Sequence, residues 1–144
     1  MNKTEIKEVV QNLINTFIKA GEMSIDLRKE GLIKKKKLDN TFVSNGDLEV
    51  NQIITEKIKK LTPQIPIVSE ESSQNKTNYN LLNFWLVDPI DGTHNYINNL
   101  DEFTINAGLI IDRKPVAGLI YAPAKKRMFY SYGNNLAFEL SNNK

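Results

Sequence analysis

The chain has 144 residues, of which 40% are hydrophobic and 25% charged, with no cysteine and a single histidine. This length suits one domain, and the balance of 19 basic and 17 acidic residues argues against disorder and against binding of a nucleic-acid polymer. The cysteine count excludes disulfides, thiolate metal sites and cysteine nucleophiles, and the lone His94 excludes a histidine-rich metal site. Catalysis by this chain must therefore use carboxylates, hydroxyls, backbone amides or a hard cation.

The apolar runs of the sequence are far shorter than the roughly 20 residues that a membrane span needs. Glu5 and Glu8 precede the first apolar block, which is unlike the start of a secretory signal. We therefore expect a cytoplasmic protein that has no membrane as a partner.

Two amphipathic helices are predicted in the first part of the chain. The first begins at Asn2, whose side chain suits a capping box with Glu5, and ends at Gly31. The second begins at Ser44, with Asp47 as the acidic partner of its capping box. The apolar residues that mark one face of each helix at intervals of three and four are Ile6, Val9, Val10, Leu13, Ile14, Phe17 and Ile18 in the first, and Val50, Ile53, Ile54, Ile58 and Leu61 in the second.

About six strands are predicted after the second helix. The apolar runs cover residues 65–69, 84–87, 104–111, 116–121, 128–132 and 136–140. Turn-forming residues at 112–115 and 133–135 predict hairpins, and the polar residues 72–80 predict a loop. The predicted fold is α+β: two N-terminal helices packed on a largely antiparallel sheet, in a single domain over residues 1–144. The aromatic residues predicted for the core are Phe84, Trp85, Phe103, Tyr121 and Phe129.

Two of these predicted strands end in acidic residues. The first leads into Glu70 and Glu71, and the second leads into Asp88 and Asp91 on either side of Pro89. The fixed φ of proline predicts a tight turn that points both aspartates the same way. Buried carboxylates need a basic partner or a cation, and oxygen ligands without cysteine or histidine favour magnesium, manganese or calcium over zinc. A solvated glutamate pair at the first strand remains an equal alternative.

The residues after Asp91 add features that suit a phosphate. Gly92 and Thr93 are predicted to open a short helix through Tyr96, whose first amides favour an anion. Acids, amides and a hydroxyl together favour metal-assisted hydrolysis of a phosphomonoester. Taken alone, the same residues are also typical of a calcium loop or a plain turn, with Thr93 as a helix cap and Asp47 as the acid of a capping box only.

Three segments resemble signature segments of the inositol monophosphatase family, a group of magnesium-dependent, lithium-sensitive phosphatases. They are KLDNTFVSNGD at 37–47, PIVSEES at 66–72 and WLVDPIDGT at 85–93, in family order and at family spacing. The resemblance implies the first half of a layered α/β sugar-phosphatase fold. It also implies Mg²⁺ as the cofactor, inhibition by Li⁺ and a small phosphorylated substrate.

Two further segments resemble the 3′(2′),5′-bisphosphate nucleotidase branch of the family: DEFTIN at 101–106 and KPVAGLIYAPA at 114–124. They imply hydrolysis of 3′-phosphoadenosine 5′-phosphate to AMP. The segment DGTHNY at 91–96 is ambiguous, because that branch usually has Lys-Glu-Phe after Gly-Thr and inositol phosphatases have Thr-Asn-Phe. Inositol-1-phosphate or a related sugar phosphate therefore remains the alternative substrate.

The resemblance also implies which residues form the site. The implied metal ligands are Glu70, Asp88, Asp91 and the carbonyl of Ile90. Glu70 and Thr93 would position and activate the attacking water, and Asp47 would bind the Thr93 hydroxyl.

The implied phosphate site consists of the amides of Gly92 and Thr93. Lys37 and His94 are candidate substrate contacts beside it. The alternatives without a functional role are a solvated charge run for Lys34 to Lys37 and an exposed, incidental residue for His94.

Family members continue into a second half with a Trp-Asp-x-Ala-Ala motif, whose aspartate completes the metal cluster. That motif does not occur in the sequence, so we expect the N-terminal half of the fold without its C-terminal half. The expected explanations are a fragment, a split gene or a decaying gene. The protein partner expected in that case is a separate C-terminal half or a second copy of this chain. The non-enzymatic alternatives are an inactive remnant and a calcium-binding module.

Overall fold

The structure is a computed structural model, and it describes residues 1–72, 80–133 and 136–141. The helices among these residues are α1 (Lys3–Glu30), α2 (Asn45–Leu61) and α3 (Thr93–Ile97), with a 3-10 turn at Pro123–Lys125. The strands are β1 (Lys34–Lys36), β2 (Phe42–Ser44), β3 (Ile67–Ser69), β4 (Phe84–Asp91), β5 (Thr104–Ile111), β6 (Lys114–Ala122), β7 (Arg127–Ser131) and β8 (Ala137–Ser141).

Both predicted helices are confirmed, together with their caps. At the start of α1, the Asn2 side chain accepts from the Glu5 amide at 2.9 Å, and the Glu5 carboxylate accepts from the Asn2 amide at 2.8 Å. This reciprocal pair binds amides that the helix itself leaves unpaired. Gly31 follows the helix with φ 101°, a conformation that residues with a side chain rarely adopt. No helix in the described part of the chain is long and apolar enough to cross a membrane.

Six strands form one sheet in the order β3-β4-β5-β6-β7-β8. β3 runs parallel to β4, and every other neighbouring pair is antiparallel. The predicted α+β architecture with a largely antiparallel sheet is confirmed. Most of the loop predicted over 72–80, and residues 134 and 135 of the second predicted turn, lie outside the described residues.

A separate two-stranded hairpin precedes α2, in a part of the chain for which no strand was predicted. Lys34, Lys35 and Lys36 of β1 pair antiparallel with Ser44, Val43 and Phe42 of β2. All three lysine side chains of β1 are exposed. Backbone pairing alone defines this strand, so no alternation of apolar and polar residues marks it in the sequence.

The two faces of the six-stranded sheet differ in their cover. One face carries α1 and α2, and successive strand residues alternate between this face and the other. The core side chains on the covered face include Trp85, Val87, Ile105, Leu109, Leu119, Tyr121 and Met128, which pack with Val10, Leu13, Phe17, Val50, Ile54 and Ile58 of the helices. Neither of these helices packs on the opposite face, which we call the open face.

The open face carries several large apolar side chains. Leu86, Ile120 and Phe129 keep 53%, 46% and 37% of their surface exposed. The prediction that Phe84 and Phe129 lie in the core is therefore wrong, whereas Trp85, Phe103 and Tyr121 are buried as predicted. The two misplaced residues lie next to core residues in the chain, and the two-residue period of a strand sends them to the open face.

Candidate active site

The C-terminal ends of β3 and β4 lie side by side because these strands are parallel. The amide of Glu70 donates to the carbonyl of Val87 at 3.1 Å, which fixes the first acidic residue beside the second strand. A single groove runs along this edge. Its lining residues are Lys37, Asp39, Asn40, Thr41, Phe42, Glu70, Glu71, Asp88, Ile90, Asp91, Gly92, Thr93 and His94. The groove thus brings together every predicted site residue except Asp47, which is buried beside it.

The hydroxyl of Thr93 is held by Asp47. Thr93 Oγ1 donates to Asp47 Oδ1 at 2.8 Å and lies 3.1 Å from the carbonyl oxygen of Ile90. The other oxygen of Asp47 accepts from the amide of Ser44 at 2.9 Å and from its hydroxyl at 2.5 Å. Asp47 has no exposed surface, so its position is set by the first turn of α2. One carboxylate therefore caps a helix and orients the groove hydroxyl at the same time.

Asp88 lies in the most unfavourable electrostatic position of the groove. Burial, together with the negative charges of Asp91, Glu70, Glu71 and Asp47, raises the pKa of its carboxyl to about 6. Repulsion among several carboxylates is the situation that a divalent cation relieves. This electrostatic strain is the strongest sign in the groove of a cation-binding role.

The strand geometry around Asp88 differs from the sequence prediction. β4 continues through Pro89 to Asp91, with an irregularity in its pairing to β5 between Asp88 and Asp91. The predicted tight turn at Pro89 is therefore wrong. The shift in pairing is typical of a bulge, which reorients side chains without ending the strand.

The donor atoms of the groove fit a hard cation by their chemistry. Five acidic residues line it, and Glu70, Asp88, Asp91 and the carbonyl of Ile90 are the groups that the sequence predicted as ligands. These oxygen ligands suit magnesium, manganese or calcium. In the described part of the chain, no three Asp, Glu, His or Cys side chains converge closely enough to enclose a metal ion as they stand.

Lys37 is paired with the second glutamate of the acidic strand end. Its Nζ lies 3.1 Å from Glu71 Oε1, and the Glu71 side chain is only 8% exposed. Burial lowers the pKa of Lys37, but the hydrogen bond to Glu71 and the charges of Glu71, Glu70 and Asp39 outweigh it, so the pKa is raised overall. The expectation of a solvated charge run holds for Lys34 to Lys36 and is wrong for Lys37, which reaches the acidic edge.

The tip of the β1–β2 hairpin forms one wall of the groove. Asp39 Oδ1 accepts from the amide and the hydroxyl of Thr41 at 3.0 and 2.6 Å, and Asn40 has φ 68°. These hydrogen bonds to Thr41 lower the pKa of the Asp39 carboxyl. Sequence reasoning missed this wall, although an aspartate followed two residues later by threonine is a known turn signal.

Gly92 and His94 are also lining residues of the groove. Gly92 has φ 90°, and a Cβ atom there would lie 2.8 Å from the carbonyl oxygen of Glu102, so glycine is required by both conformation and space. His94 is exposed and lines the groove. Its ring nitrogen Nδ1 lies 3.5 Å from the side-chain nitrogen of the exposed Asn98.

Asn51 is a residue that sequence reasoning missed. Its side-chain oxygen accepts from the Ser69 hydroxyl, and its amide nitrogen donates to the Ser72 hydroxyl at 3.2 Å. Asn51 lies on α2, so these contacts hold the acidic end of β3 against the helix that carries Asp47. A polar residue on a helix surface carries no sequence signal of such a tertiary role.

The family model of the inositol monophosphatase family matches residues 4–140 of this chain. The 3′(2′),5′-bisphosphate nucleotidase CysQ of Aggregatibacter actinomycetemcomitans is 37% identical over 128 residues, which are 85% of this chain and 46% of that protein.

Solved structures with the same fold include the following two. The extragenic suppressor protein suhB of Bartonella henselae matches with a TM-score of 0.80 and 26% identity, over 92% of this chain and 52% of that one. CysQ of Bacteroides thetaiotaomicron, described as a bacterial member of the inositol monophosphatase family, matches with a TM-score of 0.68 and 28% identity, over 92% and 48%. The chain therefore spans about half the length of the relatives it matches.

Proposed function

Because the chain belongs to the inositol monophosphatase family, we propose that it carries the acidic part of the active site of a metal-dependent phosphatase. The observation that carries this proposal is the groove in which the acidic ends of β3 and β4 meet the Thr93 hydroxyl, itself held by Asp47. The substrate proposed is a small phosphomonoester. Acids for a cation and a fixed hydroxyl for a water are the groups that this hydrolysis needs.

The proposed cation is Mg²⁺, with Glu70, Asp88, Asp91 and the carbonyl of Ile90 as its ligands in this chain. When bound, it would supply Lewis-acid activation of the phosphate and a lower pKa for a nearby water. The raised pKa of Asp88 supports this assignment, because a carboxyl repelled by its neighbours gains most from a cation. Li⁺ would inhibit the enzyme, as the family resemblance implies.

The proposed role of Thr93 is to orient the attacking water. Its hydroxyl donates to Asp47 Oδ1, the nearer of its two acceptors, and its oxygen lone pairs remain available to accept from a water. A water that donates one hydrogen bond to Thr93 and the other to Glu70 would be held in a defined direction. Asp47 acts through Thr93 and does not line the groove itself.

The proposed substrate is a 3′(2′),5′-bisphosphate nucleotide such as 3′-phosphoadenosine 5′-phosphate, with AMP as the product. The similarity to a bisphosphate nucleotidase over 85% of the chain supports this choice. The amides of Gly92 and Thr93 would receive the phosphate, and His94 and Lys37 would flank it. Inositol-1-phosphate is the second candidate, favoured by Asn95 at the position where inositol phosphatases have asparagine.

We propose that the C-terminal half of the family fold covers the open face of the sheet. Leu86 and Asp88 lie two residues apart on β4 and therefore share this face. A layer that buries Leu86, Ile120 and Phe129 would thus end beside Asp88, where a further metal ligand is needed. A second copy of this chain would cover the apolar residues without adding that ligand.

The test measures phosphate release with Mg²⁺ from 3′-phosphoadenosine 5′-phosphate and from inositol-1-phosphate. The chain is assayed alone and mixed with the second half of the Aggregatibacter relative. Asp88→Asn is the inactive control, and the exposed Asp26→Asn is the matched active one. We expect release only from the mixture, faster with the nucleotide. Failure of both preparations on both substrates would overturn the proposal and favour an inactive remnant. Tight Ca²⁺ binding without phosphate release would favour a calcium module.

A further inference from the structure

Tyr96 is a fully buried tyrosine whose hydroxyl has no role in the proposed chemistry. It is the one buried residue of α3, and it follows Thr93 by three positions, which places both side chains on one side of the helix. Its hydroxyl donates a 2.6 Å hydrogen bond to the backbone oxygen of Ser24 in α1. Burial raises the pKa of this hydroxyl, so it remains a donor at any ordinary pH.

The ring of Tyr96 packs directly on Gly46, the residue before Asp47. A Cβ atom at Gly46 would lie 2.7 Å from two ring carbons of Tyr96 and closer still to its hydroxyl oxygen. Atoms in protein cores do not approach one another that closely, so the ring occupies the space that a side chain at Gly46 would need. Tyr96 therefore contacts the first turn of α2, which also holds Asp47.

Arg28 packs against the rings of Tyr96 and Phe103. Its guanidinium lies 5.6 Å from the centroid of Tyr96 and 5.0 Å from that of Phe103, and the two rings lie 4.9 Å apart. Arg28 also donates to the carbonyl oxygen of Leu100 at 2.7 Å. The end of α1 thus contacts the region around α3 through two separate side chains, Tyr96 and Arg28.

We propose that Tyr96 is a positioning residue that fixes α3 between α1 and the first turn of α2, and thereby holds the Thr93 hydroxyl on Asp47. α3 has only five residues, so its own hydrogen bonds cannot define its orientation. The contacts of its buried side chain define it instead. The catalytic consequence of this inference rests on the proposed function, whereas the structural consequence does not.

The structural test is NMR of the 144-residue chain without metal. It follows the methyl carbon of Thr93 and the carboxyl carbon of Asp47 in two variants that disturb Tyr96 from opposite sides. Tyr96→Phe removes the bond to Ser24, and Gly46→Ala pushes the ring away. We expect both resonances to shift by more than a linewidth in each variant.

Matched controls separate this effect from a general loss of structure. Tyr130→Phe changes a half-buried tyrosine that stacks on Phe138 in the distant strand β8. Gly118→Ala adds a methyl group whose nearest neighbour is 3.7 Å away. Neither control should move the two resonances. Unchanged resonances in both test variants, or equal shifts in the controls, would overturn the positioning role.

The kinetic test uses whichever preparation releases phosphate. Loss of one orienting hydrogen bond should lower the kcat of Tyr96→Phe about fivefold, with KM changed by less than about twofold, because no substrate contact is removed. A rise in KM at constant kcat would contradict the role. If the unaltered protein releases no phosphate in any preparation, the proposed function fails while the NMR result still decides this inference.

Discussion

Thr93 Oγ1 donates a 2.8 Å hydrogen bond to Asp47 Oδ1, which joins the start of α3 to the start of α2 across 46 positions of the chain. Asp47 is fully buried, and its second oxygen is bound by Ser44. The hydroxyl of Thr93 is therefore oriented by a group that cannot turn away without breaking a helix cap. The groove thus has one rigid polar element beside a set of mutually repelling carboxylates.

Thr93→Val should remove most of the phosphatase activity and should also cost about 1–3 kcal/mol in the free energy of unfolding, because it leaves the buried Asp47 Oδ1 without its donor. Valine has nearly the shape of threonine but has no hydroxyl to hold a water, so we expect a loss of about 100-fold in kcat. Steady-state kinetics in the active preparation measures this effect. Thr93→Ser keeps the hydroxyl and should retain activity within about tenfold of the original. Equal activity of the valine and serine variants would contradict the role of the hydroxyl.

Asp88 should make the metal-free chain less stable as the pH rises from about 4 to about 6. Its pKa is raised from 3.8 to about 6 in the folded chain, so the folded state binds more protons than the unfolded state in this window. The stability present at low pH is then lost as Asp88 ionises. We expect a decline of about 1 kcal/mol, less than the full shift implies because Asp88 is only half buried.

Urea unfolding at a series of pH values, with a chelator present, measures this decline. Asp88→Asn should flatten the profile, and the exposed Asp26→Asn should leave it unchanged. Added Mg²⁺ should restore the stability lost at higher pH, because a cation that binds only the folded state stabilises it. A profile with the same slope in Asp88→Asn would show that another group is responsible.

Lys37 should matter to stability more than its neighbours in the lysine run. Lys37→Gln leaves the nearly buried carboxylate of Glu71 without its cationic partner, so we expect a loss of about 1–2 kcal/mol in the free energy of unfolding. Lys35→Gln is the matched control, since the Lys35 side chain is exposed, and should change stability by less than about 0.5 kcal/mol. Equal effects in urea unfolding would contradict the importance of the pair.

Met128 and Phe129 are neighbours on β7 that face opposite sides of the sheet. Met128→Ala should cost about 2–4 kcal/mol, because it opens a cavity in the core, whereas Phe129→Ala should cost less than about 1 kcal/mol in the isolated chain. Phe129→Ala should instead weaken binding of the other family half, measured by titration of the two halves. Unchanged binding would remove Phe129 from the proposed contact surface.

Much of the fold was predictable because its signals are local. The caps of α1 and α2 are formed by residues three apart, and the apolar periods of helix and strand show directly in the sequence. The acidic ends of β3 and β4 could also be placed together, because both segments resemble family signatures. Their spatial meeting follows from the parallel pairing of these two strands.

The parts that were missed depend on long-range contacts. β1 is formed by backbone pairing with β2. The Lys37 side chain donates a hydrogen bond to Glu71, which lies 34 positions further along the chain. The open face was also missed, because an apolar strand residue does not show in the sequence which side of the sheet will be covered. Phe129 was assigned to the core for that reason.

Calorimetric titration of the metal-free chain with Mg²⁺ measures whether the acidic groove binds a divalent cation through Asp88. We expect measurable binding by the unaltered chain, binding at least about tenfold weaker in Asp88→Asn, and no change in Asp26→Asn. Equal affinity of Asp88→Asn and the unaltered chain for Mg²⁺ would contradict the metal assignment on which the proposed function rests.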